Sequence, residues 1–317
     1  MGTEAEVRFV ETVCLPFIRS AQNPDGGWGF RPDSESRPEA TSWALQAVIQ
    51  CSWPEIPEPA ARAFQFLRGT QLPNGSWPAS PGARTGCWVT ALACWVLLAE
   101  KSSAKAVEMG LDWLCKEWPR DSTPWRRFVA RFSRQRDIFP INNSYRGWGW
   151  TPGTSSWVEP TAFALLALDE SPTELLPADA GKRRKLAEAM LYDRMCPGGG
   201  WNCGNPLVYG VAGEPLVIPT VWALLALRDH PECSENVLSL QWLEKNVANI
   251  HGPGSLALAR LCLETYGRAW PSHAPAVGEF QEKNEFLKDV QVAAWCSLAF
   301  GTKRHFLPTQ LPSSGTS

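Results

Sequence analysis

The sequence predicts an all-α protein, an α/α toroid of about five to six helical hairpins, and three observations point there. An aromatic, glycine-rich loop runs into an apolar helical stretch at four places: DGGWGF before PEATSWALQAVI, NGSWP before GCWVTALACWVLL, GWGWTPGTSSW leading into VEPTAFALLAL, and GGGWNCG before VIPTVWALLAL. Between these units lie stretches whose apolar residues recur every three or four positions, the stripe of a helix buried on one face. The 17 tryptophans, unusual for 317 residues, fall largely in or near these units. A recurring unit is read as a repeat architecture before any residue is given a role. Alternating amphipathic and wholly apolar helices pack with the apolar set as an inner ring and the amphipathic set outside it.

Taken in order, Val7, Val10, Val13, Cys14 and Phe17 mark an outer helix over residues 4–20. The loop 22–30 precedes an inner helix over 38–50. Residues 60–69 and 85–99 repeat the pair, and 104–116 form a third outer helix with Val107, Leu111 and Leu114 on its apolar face. The stretch 118–141 interrupts the array with Arg120, Arg126, Arg127, Arg131, Arg134 and Arg136. Thr123 as N-cap and Pro124 at the first position start a helix there, with Trp125, Phe128, Val129 and Phe132 on one face and arginines on the other. After the central unit come an outer helix over 182–193, its inner partner ending at Leu227, and a fifth pair at 234–246 and 255–265 whose loop, NIHGPG, has no tryptophan. Residues 284–300 read as a sixth inner helix, whereas 268–277 hold too many proline and polar residues for an outer one. The expectation is a single toroid over 1–306, with a basic amphipathic insertion at about 118–141 and a disordered tail over 307–317.

A net charge of −2 gives no global field for nucleic acid. The start, MGTEAEVRFVETV, lacks the features of a secretory signal, and no run approaches the roughly 20 apolar residues that span a bilayer. The expected location is cytoplasmic, with peripheral membrane contact where the basic helix 124–135 meets lipid. Of the ten cysteines, Cys87, Cys94, Cys262 and Cys296 sit in apolar helical stretches, so they are read as reduced thiols acting as small hydrophobes.

Gln22-Asn-Pro-Asp-Gly26-Gly27-Trp28 and Gln71-Leu-Pro-Asn-Gly75-Ser76-Trp77 both fit QxxxGxW. In this the chain resembles the terpenoid cyclase and protein prenyltransferase superfamily, in particular the squalene-hopene type of triterpene cyclase, over roughly residues 4–227. The resemblance implies structural roles for Trp28 and Trp77, whose counterparts tie neighbouring helices together. Proton-initiated cyclases of that family carry DxDD just before a Thr-Ala at the start of an inner helix. The matching residues are Trp157-Val158-Glu159-Pro160-Thr161-Ala162, so the resemblance assigns the general acid to Glu159 and places Trp157 and Pro160 where the helper aspartates would stand. Protonating an alkene needs a strong acid, and without helper carboxylates Glu159 is a weak one. The prenyltransferase branch implies a zinc site; the candidates Asp193, Cys196, Cys203 and His251 lack its Asp-x-Cys spacing, so no metal and no cofactor is expected.

Each of these residues also has a structural reading. Ser156-Trp-Val-Glu159 and Ser36-Arg-Pro-Glu39 are capping boxes, or Pro160 opens the helix and Glu159 itself is the cap. Trp43, Trp88, Trp157 and Trp222, near the starts of inner helices, either line an aromatic cavity that binds substrate or pack the core. Arg127 and Arg131 contact a diphosphate or a membrane, or lie on a solvated face. Three functions follow. The first is an isoprenoid-binding cyclase-like protein with Glu159 as acid. The second is a non-catalytic isoprenoid-binding or scaffolding protein, and the third a zinc-dependent prenyl transfer enzyme. The first two share a lipid-like small-molecule partner.

Overall fold

Six apolar helices close into a ring. The computed structural model describes residues 3–51, 57–120, 141–274 and 288–301. The first helix, α1, runs through Glu4–Phe9, a π-helical segment Val10–Cys14 and Leu15–Ser20. Then follow α2 (Pro38–Gln50), α3 (Pro57–Thr70), α4 (Val89–Leu97), α5 (Ala104–Lys116), α6 (Val158–Glu170), α7 (Ala180–Asp193), α8 (Val217–Ala226), α9 (Ser234–Asn246), α10 (Pro253–Thr265) and α11 (Val290–Phe300). Helix α2 packs on α4, α4 on α6, α6 on α8, α8 on α10, α10 on α11, and α11 returns to α2. These six are apolar nearly all round: every residue of α4 is buried, as is all of α2 except Glu39. A helix hydrophobic on every side has to be enclosed, and the outer helices enclose them. The result is an α/α toroid.

The outer helices pack mainly on the inner helix that precedes them: α3 on α2, α5 on α4, α7 on α6 and α9 on α8. The sequence reading pairs each outer helix with the inner helix after it. Connection length explains the difference, because inner helices reach the next outer helix by short turns such as Leu97 to Ala104, which favour antiparallel neighbours. Helix α1 packs on α11, the inner helix that closes the ring onto α2. The seam carries a buried ion pair, Arg260 Nη1 on α10 to Glu6 Oε1 on α1 at 2.6 Å, with Glu264 Oε1 3.0 Å from Arg260 Nε.

Four loops hold inner and outer helices together by one device. The backbone N–H groups of Trp28, Trp77, Trp148 and Trp201 donate to the hydroxyls of Thr41, Thr90, Thr161 and Thr220 at 2.8–2.9 Å. Their indole N–H groups donate to the carbonyls of Ile18, Leu67, Leu114 and Leu191, in the preceding outer helices, at 2.6–2.8 Å. Gln22 and Gln71 extend the tie to the following outer helix, donating to the carbonyls of Pro59 and Ala106 as well as to Gly26 and Gly75 in their own loops. Gly26 (φ +88°) and Gly75 (φ +89°) are in the left-handed region, and a Cβ there would come within 2.7 Å of the Arg62 carbonyl oxygen and 2.4 Å of that of Met109.

Trp and Thr are 13 residues apart in three of the loops and 19 apart in the fourth, where a hairpin, Leu207–Val208 paired with Val211–Ala212, takes up the difference. The sequence reading has no hairpin there; left-handed Tyr209 (φ 51°) and Gly210 (φ 76°) turn it. Helix α4 starts at Val89 rather than near Thr85, because Cys87 N–H donates to the Trp77 carbonyl and Trp88 N–H to that of Trp150, which keeps 85–88 in the loop. All ten cysteines are free thiols. Most of the basic insertion, including Arg127 and Arg131, and the tail lie outside the described residues. Among the described helices none is long and apolar enough to cross a membrane.

Candidate functional site

The four threonines set a common register for the inner helices. Two residues before each stand Glu39, Trp88, Glu159 and Ile218; two residues after stand Trp43, Leu92, Phe163 and Trp222. Positions four apart share a helix face, so each member of the first set lies one turn above its counterpart in the second. Gln291 and Trp295, second and sixth in α11, continue the two layers. The lower layer is closed by its own rings. Trp43 meets Trp222 at 5.3 Å between centroids, Phe163 at 6.0 Å and Trp295 at 5.7 Å, and Phe163 meets Trp222 at 4.7 Å. Trp95 adds an edge-on contact to Trp43 at 6.2 Å. Aromatic pairs prefer such tilted and edge-to-face contacts, and these fill the middle of the ring.

Above this floor two carboxyl groups sit at the positive ends of their helices. Both occupy the second helical position, after N-caps Arg37 and Trp157. Burial pushes the Glu159 carboxyl up from 4.5 to about 7, and among the described residues it has no hydrogen bond or ion pair. Burial also raises Glu39 to about 7, opposed by a hydrogen bond from Gln291 Nε2 at 3.4 Å and assisted by the negative charge of Asp289, the N-cap of α11. The helix dipole favours a carboxylate at these positions, but desolvation outweighs it. The pair can exchange protons near neutral pH and can donate or accept hydrogen bonds. A group of this strength is a general acid for oxygen or nitrogen and a poor one for carbon. The Cys87 thiol nearby, raised to about 11 by burial, stays protonated.

Beside these carboxyls, between α4, α5 and α6, a shallow groove opens to solvent, with about 20 Å³ of enclosed space. Trp88, Trp113, Trp118, Trp148 and Pro160 form its walls, and Glu117 is the one charged residue among the described lining. Behind the wall the guanidinium of Arg183, fully buried, lies 4.0 Å over the Trp118 ring and 4.1 Å over that of Trp148. It donates to the Glu117 carbonyl at 2.9 Å, and desolvation lowers it to about 10. Stacking on two indoles replaces part of its lost hydration.

Several sequence expectations change. Neither serine makes a capping box: Ser156 Oγ accepts from Gly147 N–H, Ser36 Oγ donates to Asp25, and the caps fall one residue later. Glu159 is not the cap either, since Val158 already occupies the first helical position and Pro160 the third. Trp43 and Trp222, 0% and 1% exposed, meet each other across the ring, because rings from facing helices are long enough to do so. Trp157 precedes α6 and its N–H donates to the Trp148 carbonyl; it makes no ring contact with the central cluster. Trp88 does reach the interior, touching Phe163 at 5.1 Å and Trp150 at 5.3 Å. No three of Asp, Glu, His and Cys converge as metal ligands among the described residues; Asp193 Oδ2 instead accepts from Asn142 N–H. Arg183, Gln291 and the groove were missed. The spacing of Trp113 and Trp118, at the edge of the insertion, was the only signal for the groove.

Against known proteins, no family model matches the chain. A segment of 72 residues is 35% identical to lanosterol synthase of Mus musculus, covering 20% of this chain and 10% of that enzyme, so the match spans a tenth of the relative's length. Among solved structures, a GH8 xylobiose complex from Teredinibacter turnerae matches over 96% of this chain and 95% of its own, at 8% identity and a TM-score of 0.53. Cellobiose 2-epimerase from Spirochaeta thermophila matches over 92% and 82%, at 13% identity and a TM-score of 0.51. The sequence likeness is thus local and of terpenoid cyclase type, and the structural likeness is that of the α/α toroid, a fold that carries unrelated chemistries.

Proposed function

We propose that this terpenoid cyclase-like toroid binds an isoprenoid and does not perform proton-initiated cyclisation. The observation that carries the reading is the contact of Trp43, Phe163, Trp222 and Trp295, which occupies the space a cyclase would need for a folded polyene. Glu159 supports it, since an unassisted carboxyl at about 7 is far from the acidity that alkene protonation demands. The local match to lanosterol synthase and the abundance of indole surface support an isoprenoid as the ligand.

The test incubates the protein with squalene, oxidosqualene and prenyl diphosphates, following binding by equilibrium dialysis and products by mass spectrometry. The expected result is binding of an isoprenoid without turnover. A cyclised product that disappears in Glu159→Gln overturns the non-catalytic reading and installs Glu159 as general acid. That second reading is favoured by position alone: Glu159 stands one turn above the Phe163 ring on the same helix face.

A further inference from the structure

We infer that the toroid docks on an anionic lipid bilayer through the connections from α5 to α6 and from α7 to α8, with the hairpin of the second set into the headgroup layer. The docking stands whether or not an isoprenoid binds. Six large apolar side chains are exposed among the described residues, and five of them fall in these two connections. Trp118 and Tyr145 lie in the first; Tyr209, Val211 and Leu216 lie in the second, with Tyr209 73% and Val211 69% exposed. Backbone bonds hold the two side by side. Val158 N–H, at the start of α6, donates to the Cys203 carbonyl at 3.4 Å, and Asn142 N–H donates at 2.9 Å to Oδ2 of Asp193, the last residue of α7. Exposed apolar groups gathered in this way mark an interaction surface.

Composition selects the partner. Trp118, Tyr145 and Tyr209 are of the residue types that settle at a membrane–water interface, because their rings are apolar and their N–H or O–H reaches water. From Met195 to Gly213 the chain holds no charged residue, so the hairpin can enter a headgroup layer without stripping water from a charge. Left-handed Tyr209 and Gly210 form its turn. The sign of the lipid follows from the first connection. Arg120 is exposed there, and Arg146 lies 4.8 Å over the Trp118 ring. The stretch from Arg120 to Ile141, outside the described residues, brings five further arginines, Arg127 and Arg131 among them, against Asp121 and Asp137. Glu117 and Glu214 are the acids in the described parts of the two connections. In a chain whose net charge is −2 this basic excess is local, and arginines beside an apolar edge are drawn to anionic headgroups.

The experiment co-sediments the full chain with vesicles of phosphatidylcholine alone and of phosphatidylcholine with about one third phosphatidylserine. One double variant is Tyr209→Ser with Val211→Ser, the other Tyr209→Phe with Val211→Leu. Both change side chains that are mostly exposed, so both are expected to fold, and circular dichroism checks that they do. Wild type is expected to partition at least about tenfold more strongly onto the anionic vesicles, and to lose that advantage at about 1 M salt, where the Debye length is about 3 Å. The serine pair is expected to lose about tenfold on the anionic vesicles, and the Phe and Leu pair under about threefold. Unchanged partition of the folded serine pair overturns the hairpin's place in the interface. Equal partition onto the two kinds of vesicle overturns the anionic lipid. Wild type that stays in the supernatant with both overturns the docking, gives the surface to a protein partner and leaves the isoprenoid reading untouched.

Discussion

Trp43 of α2 and Trp222 of α8, two helices that do not adjoin in the ring, meet in its middle with centroids 5.3 Å apart and planes inclined by 33°. Replacing Trp43 by Ala removes a wholly buried indole that touches four other rings. The loss in unfolding free energy is expected at about 3–5 kcal/mol, read from urea denaturation. The hollow left behind is apolar, so benzene or xenon should raise the melting temperature of Trp43→Ala and leave wild type unchanged.

Glu39 and Glu159 make stability depend on pH in a defined direction. Each has a folded pKa of about 7 against 4.5 as its ordinary value, so between these limits the folded state holds protons that the unfolded state has released. The contribution is complete below about pH 4.5 and is lost as pH rises through about 7. Unfolding free energy measured across this window should therefore fall with rising pH, less steeply in Glu159→Gln and least in the Glu39→Gln, Glu159→Gln double variant.

The Trp–Thr device can be tested one hydroxyl at a time. Thr161→Val keeps the shape but leaves the buried Trp148 N–H without its acceptor. An unsatisfied buried donor costs about 1–3 kcal/mol, which thermal and chemical denaturation would resolve. Thr90→Val should behave alike, because Trp77 N–H makes the same bond at 2.9 Å.

At the seam, Glu6→Ala should destabilise less than the roughly 3–5 kcal/mol typical of stranding a buried charge, because Glu264 remains beside Arg260. Glu6→Ala combined with Glu264→Ala removes both partners and should lose more than the sum of the single changes. A double-mutant cycle in denaturant measures that excess.

Periodicity revealed the helices well: the bounds of α2, α5 and α9 coincide with the sequence reading, since their apolar stripes end at recognisable breaks such as Ser20-Ala21 to Arg37 and Lys116 to Pro119. It also marked Glu159 and the inward tryptophans as neighbours of one site. It could not show how far inward those side chains reach, and that distance separates a lined chamber from a filled one. Nor could it foresee that Trp113 and Trp118, on one strip of chain, would enclose space with Trp88 and Trp148 from two other repeats. The groove is a product of tertiary packing, whereas the register that places Glu39, Trp88 and Glu159 on one level is written in the Trp and Thr spacing.

The bond between Arg260 and Glu6 joins residues 254 positions apart. During synthesis α1 leaves the ribosome with its apolar stripe uncovered and waits for α11, which follows ten helices later, before its own docking face exists. The loop that must be closed is long, and its entropy falls due in one late step. Folding should thus be slow and all-or-none, unlike that of an open solenoid, which can grow one hairpin at a time.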